Sequence, residues 1–312
     1  MKVLITGGVG YVGCVLVPML LEGGNEVRVL DSFRKGGLAL LPWAGHPRLE
    51  VLRGDIRDAA ATREAVQGAD VIMHLAAVVG YPACQKDPWL ARTTNVGGTI
   101  NLIKQRSPQQ LIVYPSSLSN YGSVTDGLCT EEMEPQPITL YGATKLEAEK
   151  RLLEAGNVIV YRPATAFGLS PQMRLDLLFN EFVYKALKDR YIVVYQPQFM
   201  RAFIHVRDFA RAFLFAIDNA DRMVGQIYNL GWECLNLTKG ELAERMREKL
   251  DFVLQISETG EDPDRRNYRV DFSKLRAMGF EAKTGIEEGI EELVRGYSVL
   301  EVQNPFSNVA HV

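Results

Sequence analysis

Short apolar runs recur through the first half of the chain, at residues 2–6, 26–30, 49–52, 71–75 and 111–114, and helix-like stretches lie between them. A strand with one wet face alternates apolar and polar residues. These runs are nearly continuous, which predicts strands buried on both faces of a parallel sheet that helices cover. A further helix is expected over 140–154 and a further strand over 158–161. Beyond Arg162 the pattern loosens: Pro163, Gly168 and Pro171 mark a loop, and apolar residues return at helical spacing over 173–188. Residues 204–217 are expected to return to the first core, 226–230 reads as another strand, and 238–250 and 285–295 read as helices. The expected organisation is α/β: a doubly wound parallel sheet from residues 1–168 plus about 203–230, and a smaller discontinuous C-terminal domain from 169–202 and 231–301. A short polar tail follows at 302–312.

The first strand runs directly into Thr6-Gly7-Gly8-Val9-Gly10-Tyr11-Val12-Gly13, and a helix opens behind it. That order of strand, glycine turn and helix is the context of a Rossmann-type dinucleotide site. Gly7 permits the tight turn, Gly10 lets backbone N–H groups approach a pyrophosphate, and Gly13 lets helix and strand pack closely. The helix N-terminus adds partial positive charge. Asp31 ends the second strand about 20 residues on, where a carboxylate accepts ribose hydroxyls. It also repels a 2′-phosphate, so NAD is expected rather than NADP, although Arg34 and Lys35 close by pull the other way. Asp55, with Ile56 beside it, reads equally as a contact for the adenine amide edge and as a turn residue.

Tyr141-Gly142-Ala143-Thr144-Lys145 falls near the start of the helix expected over 140–154, so phenol and ammonium lie at i and i+4 on one face. Tyrosine has a reference pKa of about 10, and bringing it to 7 takes about 4 kcal/mol. A neighbouring ammonium and an oxidised nicotinamide both favour the phenolate. Upstream, Tyr114-Pro115-Ser116-Ser117-Leu118-Ser119-Asn120-Tyr121-Gly122 follows the fifth strand, at the edge where open parallel sheets place their ligand crevices, and Ser117 is placed to hydrogen-bond a reacting hydroxyl. A Tyr-x-x-x-Lys pair alone is commonly a surface pair on an amphipathic helix. Its place after the glycine turn, Asp31 and Ser117 favours catalysis.

In this combination the chain resembles, over essentially its whole length, an extended short-chain dehydrogenase/reductase of the nucleotide-sugar epimerase/dehydratase family. The resemblance implies that Tyr141 is the general base, that Lys145 lowers its pKa and holds the nicotinamide ribose, and that Ser117 orients the sugar. It also implies cofactor contacts from the strand end around Leu75, Ala76 and Ala77, from Asn95, and from Pro163 and Ala164. In 4,6-dehydratases of the family Asp and Glu follow the hydroxyl residue, where Leu118 and Ser119 stand here; in 3,5-epimerising members a cysteine stands where Ser119 does. That leaves oxidation or epimerisation at C4, through a 4-keto sugar. A nucleotide-sugar 4-epimerase is the leading expectation and a 4-dehydrogenase or reductase the alternative. A non-catalytic dinucleotide sensor is the rival of another class, and it needs no Tyr/Lys pair.

On the substrate side the resemblance places Arg201 and the cluster around Arg265 and Arg266 near a nucleotide diphosphate, whose oxygens a guanidinium binds bidentately. Which of Arg265 and Arg266 does so stays open, with solvated surface arginines as the alternative. The stretch from Met173 through Arg174 to Asn180, with 260–265, is similar to the GDP-heptose 4-dehydrogenases of bacterial capsule pathways and adds Arg174 and Asn180 as substrate contacts. Thr165 stands where many epimerases have asparagine and Val79 where some have a cofactor-binding lysine, which argues against strict identity with UDP-galactose 4-epimerase. His74 and His205 read as packed core histidines and Cys84 as a packing residue.

Bulk properties narrow the partners. A net charge of −3 leaves no basic surface for nucleic acid. The four cysteines, Cys14, Cys84, Cys129 and Cys234, show no metal-ligand spacing, so no metal is expected and reduced thiols in a cytoplasm are. No apolar stretch has the length of a membrane span, and the apolar start to Leu21 is accounted for by the glycine turn and its helix rather than by a signal peptide. A homodimer through the helices around 87–106 and 140–154 is implied by the resemblance alone.

Overall fold

The computed structural model of the protein describes residues 1–257, 259–260 and 266–300. Strands β1 (Lys2–Thr6), β2 (Glu26–Asp31), β3 (Leu49–Arg53), β4 (Val71–His74) and β5 (Leu111–Pro115) alternate with helices, as the apolar runs require. They are followed by β6 (Ser123–Cys129), β7 (Val158–Pro163), β8 (Thr165–Phe167), β9 (Tyr191–Tyr195), β10 (Met200–His205) and β11 (Ile227–Leu230). The last three are β12 (Asn236–Thr238), β13 (Val253–Ser257) and β14 (Asn267–Val270).

A seven-stranded sheet in the order β11-β7-β5-β4-β1-β2-β3 forms the core, and every pairing in it is parallel. Every residue of β4 and β5 is buried, whereas β3, at the sheet's edge, is mostly open to solvent. The strand order reverses between β1 and β4. Their C-terminal ends therefore open a crevice at the topological switch point, where ligands of such sheets bind. The helix Gly13–Glu22 and the helix Val206–Asp218 cover one face, burying Leu16, Val17 and Leu20 in one cluster with Phe209 and Phe213. On the other face Ala148 and Leu152 of the helix Leu140–Ala155 pack with Ile72, Ile112 and Val160.

The smaller unit has its own core. The helices Leu178–Lys188, Lys239–Arg247 and Ile286–Tyr297 pack with the small sheet β12-β10-β8 around Phe167, Phe179 and Phe203. Ile286, Gly289, Ile290, Leu293 and Tyr297 form the inward stripe of the last helix, at helical spacing.

Two expectations change. The helix expected over 173–188 begins only at Leu178, because Arg174 grips Asp176 through both carboxylate oxygens at 2.6 Å. Residues two apart point to different sides of a helix, so this pairing requires a turn. Residues 204–217 do cover the central sheet through the helix Val206–Asp218, but β10 itself pairs with β8 and β12 in the small sheet. The tail 302–312 lies outside the described residues, and among those described no helix is long and apolar enough to cross a membrane.

Candidate active site

The glycine turn is shaped as a cradle. Gly7 has φ +76°, and a Cβ there would stand 2.7 Å from the Ala76 backbone nitrogen, so β1 and the end of β4 meet only around a glycine. At Gly13 a Cβ would strike the Gly8 and Gly7 carbonyls at 2.6 and 2.7 Å. Gly10 differs: within 4 Å its Cβ would meet only the Gly7 carbonyl, at 3.2 Å. Packing does not demand a glycine there, which fits a position kept bare for a ligand's approach. Asp31 accepts the Val9 N–H at 3.0 Å and the Phe33 N–H at 2.8 Å, so its carboxylate is fixed at the rim of the turn. Tyr11 ties the turn to the second unit: its hydroxyl donates to the Gly168 carbonyl and its carbonyl accepts from the Ser170 hydroxyl, both at 2.7 Å.

Ser117, Tyr141 and Lys145 come together at the C-terminal edge of β5. Ser117 caps the short turn Leu118–Tyr121, accepting the Ser119 N–H, and its hydroxyl lies 2.5 Å from the Ser119 hydroxyl. Thr139 caps the helix that carries the other two, accepting from the Gly142 N–H. Tyr141 is hydrogen-bonded to Ser117. Burial pushes its phenol up to about 12 and Cys84 adds to the rise; Arg174, the Ser117 hydrogen bond and Arg266 pull it back. Lys145 is driven the opposite way by the same burial, down to about 7, with Glu149 and Cys84 opposing. Burial disfavours whichever form is charged.

A profile of the NAD dependent epimerase/dehydratase family matches residues 3–231. The chain belongs to that family. A low-salt glycan biosynthesis protein, Agl12 of Haloferax volcanii, is 28% identical over 311 residues, covering 95% of this chain and 98% of that one. Among solved structures, DesIV, a dTDP-glucose 4,6-dehydratase of Streptomyces venezuelae with NAD bound, superposes with a TM-score of 0.84 at 28% identity, over 96% of this chain and 97% of that one. The UDP-glucose 4-epimerase of Thermus thermophilus in complex with NAD gives a TM-score of 0.82 at 25% identity, over 96% and 99%. NAD is the cofactor of this epimerase/dehydratase chain, and the bare Gly10 and the fixed Asp31 carboxylate fit it.

Within this family member the remaining expected residues fall into two groups. Leu75, Ala76 and Ala77 follow the end of β4, Pro163 ends β7, and Val12 caps the helix behind the turn; Ala76 donates its N–H to the Thr6 hydroxyl and Leu75 to the Thr6 carbonyl. Arg174 lies near Gly80, it and Arg266 act on Tyr141 electrostatically, and buried Arg201 donates to the carbonyl of Arg266. Thr165, in β8, is half-buried opposite Phe203 of β10. Arg265 lies outside the described residues. The second group is engaged by protein. Asn95 exchanges hydrogen bonds with the Val78 backbone and donates to Thr144. Asn180 accepts from the Gly168 N–H and donates to Tyr11 and the Arg174 carbonyl. Asp55 holds its neighbour Arg57, which lowers its pKa, and Ile56 is buried against Gly98. These side chains hold the walls of the site in shape.

Sequence reasoning missed the groups under the site. Glu149 forms a buried ion pair with Arg162 at 2.6 Å, Asn120 donates to the same carboxylate at 3.1 Å, and Arg162 reaches the Tyr121 hydroxyl at 3.0 Å. Glu149 stands four residues beyond Lys145, on the same face. A carboxylate in that register on the inward face was the available signal.

Proposed function

We propose that the protein interconverts a nucleotide-diphosphate sugar and its 4-keto form, and that its net reaction is C4 epimerisation. The observation that carries this is the junction of Tyr141, Ser117 and Lys145 at the sheet edge, with buried Leu118 and Ser119 in the two positions where the family's dehydratases hold an acid pair. NAD, when bound, supplies the hydride acceptor and donor. Tyr141 takes the proton of the C4 hydroxyl, and Ser117 hydrogen-bonds the same oxygen. The Lys145 ammonium favours the phenolate, and Arg201 with one of Arg265 and Arg266 binds the diphosphate, with Arg174 at the sugar end. Leu118 has no proton to move and the Ser119 hydroxyl is a weak acid, so loss of water across C5 and C6 lacks its catalyst.

A 4-dehydrogenase or reductase uses the same three residues and differs only in releasing the ketone. The likeness of Met173 to Asn180 to GDP-heptose 4-dehydrogenases keeps it as the second reading. The protein is incubated with NAD and with UDP-, GDP-, CDP- and dTDP-linked hexoses and heptoses, and NADH absorbance and product stereochemistry are followed together. A C4 isomer without net NADH supports the epimerase. Stoichiometric NADH with a 4-keto product supports the dehydrogenase, and a 4-keto-6-deoxy product refutes both. A cytoplasmic homodimer through the helices around 87–106 and 140–154 belongs to this reading, and sedimentation tests its mass.

A further inference from the structure

Lys145 is buried, and the way its charge is held is unusual for an ammonium. Glu149 is within electrostatic reach on the same helix, but its carboxylate is engaged by Arg162 and Asn120. Among the described residues, Cys84 from the helix Tyr81–Lys86 and His74 from β4 also interact with Lys145 electrostatically, Tyr114 from β5 lies against it, and Tyr141 stands one turn before it on its own helix. Burial pushes the Cys84 thiol up to about 11 and raises the Tyr114 phenol, so both are neutral.

The closest described arrangement is a ring. Lys145 Nζ stands 4.0 Å from the centroid of the Tyr114 ring, well inside the distance at which the negative face of an aromatic ring attracts a cation. Tyr114 stacks in turn on His74, with centroids 5.7 Å apart and planes 28° from parallel. His74 is uncharged, driven down to about 3 by burial and by Lys145. Its hydrogen bonds fix one neutral tautomer. Thr99 gives its only hydroxyl proton to the Asn95 carbonyl and so accepts from His74 Nε2 at 3.0 Å. Thr6 then donates to Nδ1 at 2.7 Å, while accepting the Ala76 N–H. A neutral imidazole behind the ring does not repel the ammonium in front of it. The Tyr114 hydroxyl is buried and meets no hydrogen-bond partner among the described residues, so the hydroxyl is not what keeps the residue in place.

We propose that Tyr114 is a positioning residue for the catalytic lysine: the face of its ring, backed by neutral His74, holds the Lys145 ammonium at the ends of β4 and β5, and its hydroxyl takes no part. The ring connects Lys145, through His74 and Thr6, to the strand that feeds the glycine turn. The catalytic role of Lys145 rests on the function proposed above, whereas the grip of the ring on its charge does not.

The test replaces Tyr114 in the full chain by phenylalanine and by phenylalanines bearing one, two and three ring fluorines, which weaken the ring's negative face at nearly constant volume. The readouts are the titration midpoint of the Lys145 side chain, followed by NMR of isotope-labelled lysine and assigned with Lys145→Arg, and turnover of the nucleotide sugar. Tyr114→Phe is expected to leave the midpoint within about 0.3 unit and the turnover within about two-fold of the parent. Successive fluorines are expected to lower the midpoint stepwise, by about 0.5 to 1 unit in all, because the charged form loses its support. Turnover falls in the same order. A midpoint that does not move across the series overturns the proposal, as does a full loss in Tyr114→Phe, which would assign the role to the hydroxyl. If no nucleotide sugar turns over, the titration still decides, so failure of the functional reading and failure of this one are told apart.

Discussion

A phenol at about 12 beside an ammonium at about 7 is a pair in which burial opposes both charged forms. Chemistry at neutral pH therefore depends on what enters the site to favour the phenolate. Replacing Tyr141 by Phe removes the proton acceptor and leaves the fold and the glycine turn untouched; turnover is expected to fall about 100-fold or more, with NAD affinity little changed by calorimetry. Lys145 gives a prediction about stability. Its folded pKa is lowered from about 10.5 to about 7, so between these values the unfolded chain binds the extra proton and stability rises with pH. Below pH 7 the full cost of burying the charge is present. Lys145→Met is therefore expected to stabilise the inactive protein by about 2–4 kcal/mol at pH 6, with a higher Tm, and to lose most of that advantage by pH 10. An equal gain at both pH values would mean that the burial cost is not electrostatic. The glycine turn, Asp31 and the Tyr141/Lys145 pair were legible in the sequence because each is set by local spacing. Tyr114 beneath Lys145 and Asp176 beside Arg174 were not: the first pairing is made where β5 meets a helix, and the second by a turn that replaces an expected helical start.

At the scale of elements, the inner strands of the central sheet, β1, β4 and β5 above all, were legible because burial on both faces leaves a run of apolar residues. The small strands were not. β6 pairs with β14, and β13 with β9; Tyr268 and Val270 in β14 and Ile192 and Val194 in β9 are buried at every second position, but these strands run only four and five residues, too short for the alternation to stand out in the sequence. What anchors the helix Leu140–Ala155 was also hidden, since the buried Glu149–Arg162 pair joins it to β7 and, through Asn120, to the segment bearing Ser117. The pair's side chains are 2–3% exposed, so removing one partner strands a charge where water does not reach. Glu149→Ala is expected to cost about 3–5 kcal/mol in denaturant unfolding, whereas Glu149→Leu with Arg162→Met, which removes both charges, is expected to recover much of that. If the double variant is no more stable than the single one, Arg162 is held by its contacts with Tyr121 rather than by the carboxylate.

For the whole molecule, the loosened pattern after Arg162 led to the expectation of a discontinuous second unit; residues 268–280 of that expected unit pack instead in the cluster of the central sheet, and the attachment of the 168–180 segment to the cofactor turn was not legible. That attachment runs through one residue of the fingerprint. Tyr11 donates to the Gly168 carbonyl, accepts from Asn180 at 3.2 Å, and through its carbonyl accepts from Ser170; Glu292 of the last helix accepts the Leu169 N–H at 3.0 Å in the same segment. Anything that steadies the turn thus steadies the segment that presents Arg174 and Asn180. NAD at 100 times its dissociation constant stabilises the folded chain by about 2.7 kcal/mol, and hydrogen exchange shows where that protection is felt. In the parent chain the amides of 168–180 are expected to gain protection along with those of 7–13. Tyr11→Phe leaves the Gly168 carbonyl and the Asn180 amide each short of a partner, at a cost of about 1–3 kcal/mol, and keeps every backbone donor of the turn. NAD should therefore still protect 7–13 in that variant while its effect on 168–180 shrinks. Protection of both segments to the parent's extent would mean that the two units communicate through their packed cores and not through Tyr11.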